Sequence, residues 1–531
     1  MERHSLVFIA VVLLVGIAVR LVQVDREALW ADETLTLLIA NWPARYLLFE
    51  PVDPSPGVYY LLTKWLIPAD AGVATVRLIS VAAGTAAIAV IYGLGRMAFS
   101  QKAGLWAAAL MALSPVMVDY SQEGRPYATL VLLVLLSALG LVWWIGEARR
   151  SRRGVAALSL FAAAAVLAFY THFTSIFWII PAVVAGYALT RLKGTSFHHR
   201  AYLLASAAMA AAASPEVLRI YERATLFGGF SWLANPGLRD VLAVSGDTSL
   251  PAGLWNGREG AGSLASAVGL ILAFGVATWR LFAHRQALRL LIARNPAGVA
   301  VTAILLAVPL LVWLFGFLVT PIFMPRSILL TAPGFVMLAA LVASLERRAF
   351  LGAALIGFYA TNLAVAGTVR PKEPWAPVVD SIRQGARPGD GILLCPEWRG
   401  PSLLHAMGGR SDLPVYLMFG GDVLMMPPVP ANQSWTHAYY ATILKPPVER
   451  FAYGIPPKFE RRQTAVPTRL WLIESGCDPS QREALHRWLG SGRKTPVLEV
   501  QTTPHFEGMR LSLIEHRAGP REIMVPTTGN R

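Results

Sequence analysis

Charge is what this sequence has least of. Only 15% of its 531 residues are Asp, Glu, Lys or Arg, against roughly a quarter in an ordinary soluble domain. That deficit excludes a soluble enzyme and a disordered chain. Cysteine is nearly absent. Cys395 and Cys477 are too few for a disulfide scaffold, and neither stands in a CxxC or a Cys/His cluster with metal-ligand spacing. Acidic residues are scarcer than basic ones, 32 against 47, for a net charge of +15. On a soluble chain that excess would raise the question of nucleic acid. Here the basic residues lie between apolar runs, so membrane topology accounts for them and no nucleic-acid partner is expected.

What the chain has in plenty is apolar sequence, 55% of it. A spanning length of about 20 apolar residues predicts helices near 5–22, 73–98, 103–118, 126–146, 155–170, 174–190, 201–220, 263–283, 298–319, 328–344 and 350–367, about eleven spans in all. The first resembles a signal peptide, but no small-residue cleavage site precedes Asp25, so it is expected to be retained. Lys and Arg fall on alternate loops: Arg96 and Lys102; Arg149, Arg150, Arg152 and Arg153; Arg191, Lys193 and Arg200; Arg280, Arg285, Arg289 and Arg294; Arg347 and Arg348. The positive-inside rule then predicts a cytoplasmic N-terminus. An odd number of spans puts everything after about residue 370 on the outer face, the periplasm for a chain of bacterial character.

The composition changes there. Of 36 prolines, 20 follow residue 370, and the apolar runs shrink to strand length. Residues 1–369 therefore read as a transmembrane domain and 370–531 as a soluble α/β domain. Strands are predicted at Gly391–Cys395, Leu413–Phe419, Arg469–Glu474 and Met509–Ile514, and a helix at Gln481–Leu489. No GxGxxG or GxxxxGK[S/T] loop occurs in this domain, so a nucleotide site has no motif support. The last dozen residues read as a disordered end. The topology puts both cysteines in an oxidising compartment where a disulfide can form. The favoured expectation is nonetheless two unpaired thiols, with Cys395 buried in its strand.

Ionisable groups near a bilayer are expensive and tend to be kept for function. They concentrate in the loops assigned to the outer face. The first such loop holds Trp30-Ala-Asp32-Glu33 and then Asp53-Pro-Ser-Pro-Gly-Val-Tyr59-Tyr60. Adjacent carboxylates invite a role as base or ligand, although Asp32 and Glu33 equally suit the start of a helix over 34–41, where the dipole favours them. A second cluster is Asp119-Tyr-Ser-Gln-Glu123-Gly-Arg125-Pro126-Tyr127. Pro126 fits a helix's first turn, which aims backbone N–H groups and Arg125 at a site suited to an anion, above all phosphate; the plainer alternative is an Arg125–Glu123 pair within the loop. Tyr170-Thr-His172-Phe173 and Pro325-Arg326 complete the set. A lone His is more often structural than catalytic, and Arg326 also fits interfacial snorkelling.

Taken together, these motifs resemble the GT-C superfamily of membrane glycosyltransferases, in the branch of protein O-mannosyltransferases, lipid A aminoarabinose transferases and RgtA/B/C/D-like bacterial enzymes. The resemblance rests on Trp30-x-Asp32-Glu33, Pro56 to Tyr60, Arg77-Leu-Ile-Ser80, Ser121-Gln-Glu-Gly-Arg125-Pro-Tyr127, Tyr170-Thr-His172 and Pro325-Arg326, in order along the membrane part. Lys372-Glu-Pro-Trp375 and Gly389-Asp390, which open the periplasmic domain in many members, add to it. Two departures stand out: Asp53-Pro-Ser55-Pro56 where members often have His or Lys, and Arg326-Ser327 where Arg-Tyr is common.

The resemblance implies transfer of a sugar, with inversion, from a polyprenyl-phosphate donor to an acceptor hydroxyl of a glycolipid such as lipopolysaccharide, a polysaccharide or a protein on the periplasmic face. On that expectation Asp32 is the base and Glu33 orients it. Arg125, Arg326, Tyr127 and His172 meet the donor phosphate, and Trp30, Asp53, Tyr59, Tyr60 and Glu123 line the substrate site. No cofactor is expected. A divalent metal at Asp32 and Glu33 is the minor alternative, because hard cations prefer oxygen ligands but a monophosphate countered by arginine does not demand one. The competing class is a transporter or flippase, against which stand the absence of an internal repeat and the position of the polar clusters in loops.

Overall fold

The computed structural model describes residues 2–49, 55–147, 151–193, 196–227, 235–249, 261–346, 349–366, 373–419, 421–426, 429, 434, 436, 459–490, 493–500, 508–516 and 519–526. In chain order the helices are α1 (Glu2–Leu21), α2 (Ala31–Ala40), α3 (Ala44–Phe49), α4 (Val58–Leu66), α5 (Val73–Ala98), α6 (Gln101–Leu113), α7 (Pro115–Ser121), α8 (Tyr127–Gly146), α9 (Arg152–Phe169), α10 (Ile176–Lys193), α11 (Ser196–Phe227), α12 (Leu238–Ser249), α13 (Ala261–Ala283), α14 (Arg285–Arg294), α15 (Pro296–Leu318), α16 (Thr331–Leu345) and α17 (Phe350–Ala366). After them come α18 (Trp375–Gly385), β1 (Gly391–Cys395), α19 (Gly400–Ala406), β2 (Val415–Phe419), β3 (Asp422–Met425), β4 (Phe459–Ala465), β5 (Arg469–Glu474), α20 (Pro479–Leu489), β6 (Arg493–Val500), β7 (Met509–Glu515) and β8 (Pro520–Pro526).

All eleven expected apolar segments are helical. The count of spans is lower than expected. Among the described residues eight helices are long and apolar enough to cross a membrane, or nine if α6 and α7, bent by 58°, form one broken span. The remaining two, α16 and α17, are apolar but only 15 and 17 residues long.

By packing, the chain divides into two units: residues 1–23, 45–59 and 77–369, and residues 24–44, 60–76 and 370–531. The helical unit is organised around the break between α6 and α7. Pro115 has no N–H and cannot bond the carbonyl four residues back, which is that of Met111. Arg20, at the end of α1 and completely buried, supplies the missing donors. It bonds the carbonyls of Met111 at 3.2 Å and Ala112 at 3.0 Å and the Ser121 hydroxyl at 3.1 Å. Gln122 returns the bond, donating to the carbonyls of Arg20 at 3.1 Å and Val22 at 2.9 Å beyond the last turn of α1. The arrangement needs glycine at position 84: a Cβ there would lie 2.0 Å from Ser121 Oγ. Small residues likewise let backbones meet elsewhere, as at Gly95 against Gly104 and Gly298 against Ala98, the usual route to close helix contact in lipid.

The second unit contains an eight-stranded mixed sheet in the order β4-β8-β3-β2-β1-β5-β7-β6. Its centre, β2-β1-β5, is parallel and reads as unbroken apolar runs because both faces are covered. The edge strand β6 is largely exposed and carries Arg493, Lys494 and Pro496, which suit an edge that must not recruit another strand. Two expectations are corrected here. The last dozen residues are not a disordered end throughout, since β8 pairs along its length with β4; only 527–531 lie outside the described residues. Cys395 and Cys477 are not free thiols but form a disulfide. Cys395 aligns with Glu474 on the neighbouring strand, and the turn at Gly476, with φ of 81°, brings Cys477 back to a Cα separation of 5.6 Å.

The bridge joins residues 82 positions apart, so it restricts a long loop of the unfolded chain. Cys477→Ser is expected to lower the stability of this unit by about 4 kcal/mol, read by thermal unfolding. Identical electrophoretic mobility and thiol labelling with and without reductant would show that the bridge does not form.

Candidate active site

In the helical unit the site starts where the α1–α7 lock ends. Beyond Gln122, the Arg125 N–H donates to the Glu123 carbonyl at 2.8 Å, a tight turn that hands the chain to Pro126 and α8. Proline is tolerated there because a first-turn N–H has no helical partner to lose. Arg125 is buried. Its Nη2 lies 3.5 Å from Ser55 Oγ, and its guanidinium carbon 5.9 Å from the centre of the Tyr127 ring. The Arg125 carbonyl accepts from the Ser80 hydroxyl at 3.0 Å, and Ser80 Oγ is 3.0 Å from the Tyr59 hydroxyl.

Tyr127 stands edge-on to His172, 5.5 Å between ring centres, and to Tyr120, 5.2 Å. His172 begins the short turn 173–175, with Nδ1 2.8 Å from the Thr174 hydroxyl and accepting the Thr174 N–H at 3.4 Å. The neighbouring Tyr170 carbonyl accepts the Val58 N–H at 3.1 Å, which ties the first loop to this turn. Arg326 lies in the short helical turn Pro325–Ser327 that precedes α16. Tyr59, Arg125, Tyr127 and His172 therefore form one connected set, with Glu123 buried beside it. Asp53 lies outside the described residues. A guanidinium held among hydroxyls and aromatic faces offers two parallel donors to a phosphate.

Trp30, Asp32, Glu33 and Tyr60 belong to the second unit. Trp30 precedes α2, and Asp32 and Glu33 occupy its first turn. The two carboxylates differ. Asp32 is partly exposed, whereas Glu33 is fully buried and turns back so that Oε2 accepts the Trp30 N–H at 3.3 Å. Glu33 thus acts first as part of the helix cap. Tyr60 is buried in α4. Among the described residues no three His, Cys, Asp or Glu side chains converge as metal ligands would.

Sequence reasoning gave Ser80 no role of its own, and it passed over Glu373 and Arg399. Glu373 Oε1 is 3.0 Å from Arg399 Nη1, and Oε2 accepts from Trp375 Nε1 at 2.7 Å. Burial pushes the Glu373 carboxyl above its ordinary range, while Arg399, Trp375 and the Ala31 N–H pull it back and Asp32 adds to the rise. The available signal was Lys372-Glu-Pro-Trp375 itself. Its companion Gly389-Asp390 is architectural: Gly389 has φ of 90°, and Asp390 accepts from Trp471 Nε1 and the Arg387 N–H, each at 3.0 Å.

A family profile described as dolichyl-phosphate-mannose-protein mannosyltransferase matches residues 53–218. No curated protein matches the chain. Among solved structures, the chain is similar to ArnT from Cupriavidus metallidurans in the apo state, at 13% identity over 96% of this chain and 98% of that one, with a TM-score of 0.53. The fold is like that of ArnT, a GT-C-type fold, and the chain's long apolar helices make it a multi-pass membrane protein. Two further similarities are ArnT from the same bacterium bound to undecaprenyl phosphate, at 14% identity over 96% and 97% of the chains with a TM-score of 0.41, and the oligosaccharyltransferase AglB from Archaeoglobus fulgidus in complex with an inhibitory peptide and a dolichol-phosphate, at 12% identity over 77% and 64% with a TM-score of 0.47.

The His172 contacts separate a capping role from any chemical one. His172→Ala is expected to cost about 1 kcal/mol, and His172→Asn, which restores a side-chain acceptor for the Thr174 N–H, to recover most of it in thermal unfolding of the detergent-solubilised protein. Equal stability of the Ala variant and the parent would remove the capping role.

Proposed function

We propose that this chain is an inverting glycosyltransferase of the inner membrane. It moves a sugar from a polyprenyl-phosphate donor to an acceptor hydroxyl on the periplasmic face, with its N-terminus in the cytoplasm. The observation that carries the reading is the buried Arg125, set among Ser55, Tyr59, Ser80, Tyr127 and His172 on a frame that fixes the start of α8. A lipid phosphate gains negative charge as it leaves. Preorganised guanidinium and N–H donors stabilise such charge without rearranging. The fold match to ArnT, which in a second structure is bound to undecaprenyl phosphate, supports a polyprenyl phosphate as leaving group. The basic alternate loops support the orientation.

In the step itself the acceptor oxygen attacks the anomeric carbon, the bond from that carbon to the phosphate oxygen breaks with inversion, and the hydroxyl proton passes to Asp32. The products are the glycoside and free polyprenyl phosphate. Arg125 and Arg326 counter the phosphate, and Tyr127 and His172 line it. Glu33 orients Asp32 by fixing the turn both belong to, and Trp30, Asp53, Tyr59, Tyr60 and Glu123 surround the substrates. No metal enters the scheme. The acceptor is a glycolipid such as lipopolysaccharide, a polysaccharide or a protein hydroxyl.

The deciding measurement is release of free polyprenyl phosphate from a panel of polyprenyl-phosphate sugars by the purified protein, with outer-membrane lipid extract as acceptor. One donor is expected to turn over. Asp32→Asn should lower the rate by about 10²- to 10⁴-fold, the usual worth of a positioned base, and Arg125→Ala by about 10²-fold or more, both with folding intact. Full transfer by both variants would overturn the assignment. Lipid translocation by folded protein, without release from any donor, would instead support a flippase.

A further inference from the structure

The spans α13 and α15 are joined by α14, with only His284 on one side of it and Asn295 on the other. A short helix tethered at both ends to spans lies at the level of the lipid headgroups. Its sequence suits that position. No residue of α14 is buried, and the side chains it exposes include the guanidiniums of Arg285 and Arg289 and the apolar Leu290 and Ile292. Positions 285, 289 and 292 follow one another by four and three residues and so share one face of the helix. Phe282, at the end of α13, extends that face: it is 65% exposed, and the Arg285 guanidinium carbon lies 5.1 Å from the centre of its ring. Trp279, 63% exposed, is met in the same way by Arg280 at 5.1 Å. All of these residues belong to the helical unit.

The charge along this stretch has one sign. From Ala261 to Leu345 the chain has no Asp or Glu. The next acid is Glu346, and its carboxylate is engaged at the end of α13, accepting from Arg280 Nε at 2.6 Å with His284 Nε2 3.4 Å away. Exposed rings and an isoleucine beside guanidiniums are poorly served by water alone. They fit a headgroup layer, where aromatic rings sit at the boundary and cations meet phosphate.

We propose that Phe282, Arg285, Arg289 and Ile292 form a binding site for an anionic phospholipid, with the two guanidiniums on its phosphate and the two apolar side chains against its acyl chain. The order of the four decides the class of ligand. A free phosphate would use the arginines and leave the apolar pair idle, and an apolar partner would do the reverse. A zwitterionic lipid brings its own cation next to the arginines, which repels them. Each planar guanidinium offers paired donors to phosphate oxygens, and Arg285 is steadied by the Phe282 ring. With the N-terminus in the cytoplasm this lipid belongs to the cytoplasmic leaflet, and its binding does not depend on which sugar is transferred.

The test uses the full-length protein in nanodiscs of phosphatidylcholine alone or mixed with phosphatidylglycerol. Hydrogen exchange across residues 285–294 is expected to be slower in the mixed discs. Native mass spectrometry of protein released from them should find phosphatidylglycerol retained in preference to phosphatidylcholine. The variant Arg285→Gln/Arg289→Gln should lower that preference by about five-fold for each arginine removed and abolish the exchange difference. Arg285→Lys/Arg289→Lys, which keeps both charges, should hold the preference to within about three-fold of the parent. Arg152→Gln/Arg153→Gln, which takes the same charge from another basic loop, should leave both readouts unchanged. Equal exchange in the two kinds of disc, a preference that survives Arg285→Gln/Arg289→Gln, or an equal loss in Arg152→Gln/Arg153→Gln would overturn the proposal. So would slower exchange on adding inorganic phosphate to the phosphatidylcholine discs, because the site would then take any phosphate.

Discussion

A proline inside a broken apolar helix leaves a carbonyl that nothing in lipid will satisfy, and the helical unit is arranged around the one side chain that satisfies it. Arg20 reaches from α1 into the gap between α6 and α7 and bonds the carbonyls of Met111 and Ala112. An arginine in a span is ordinarily costly. Here its charge sits at the negative end of the α6 dipole, and its donors meet acceptors that would otherwise be bare. Because Gln122 bonds back to the end of α1, the residues that follow, Glu123 to Tyr127, leave the lock in a fixed direction. The position of Arg125 is thus inherited from an interaction with no chemical role of its own.

The candidate site residues are drawn from both units, with the carboxylate Glu123 among those of the helical unit. The cationic and aromatic set of Tyr59, Arg125, Tyr127, His172 and Arg326 belongs to the helical unit, and the carboxylates Asp32, Glu33 and Glu373 to the unit that contains the sheet. Each group is stabilised by means proper to its setting. The cations stand among hydroxyls and ring faces at helix ends. Asp32 and Glu33 stand in the first turn of α2, where backbone N–H groups and the dipole favour negative charge. Glu33 shows that adjacency in sequence does not mean equivalence, since it is buried in the cap while Asp32 keeps access to solvent.

Much of this was legible in the sequence, and the reasons for the gaps are specific. Apolar length marked all eleven helical segments, but it did not show that α16 and α17 are only 15 and 17 residues long or that the chain bends by 58° between α6 and α7. The buried central strands β1, β2 and β5 stood out as apolar runs. β3, β4, β6 and β8 did not, because strands near or at the sheet's edges are short, charged or proline-bearing and carry little periodic signal. Cys395 and Cys477 are 82 residues apart, and only the parallel pairing of β1 with β5 brings them together. In the site, the motif order pointed to Arg125, Tyr127 and His172, which the fold connects. The pairing of the Thr34 and Ser402 hydroxyls, 3.0 Å apart, joins residues far apart in the sequence, and no local pattern reports it.

The membership of residues 24–44 in the second unit also has a temporal side. Leu37, Leu38 and Ile39 of α2 are buried in the finished protein, yet the residues of α19, among them Ser402 with its hydroxyl 3.0 Å from that of Thr34, are synthesised more than three hundred residues later. At the usual elongation rate of about 5–20 residues per second, the ribosome needs some tens of seconds to deliver them. For that interval α2 is a ten-residue helix without its partners, too short to persist alone in water. The segment bearing Asp32 therefore acquires its final form among the last parts of the chain, although it is among the first to be made.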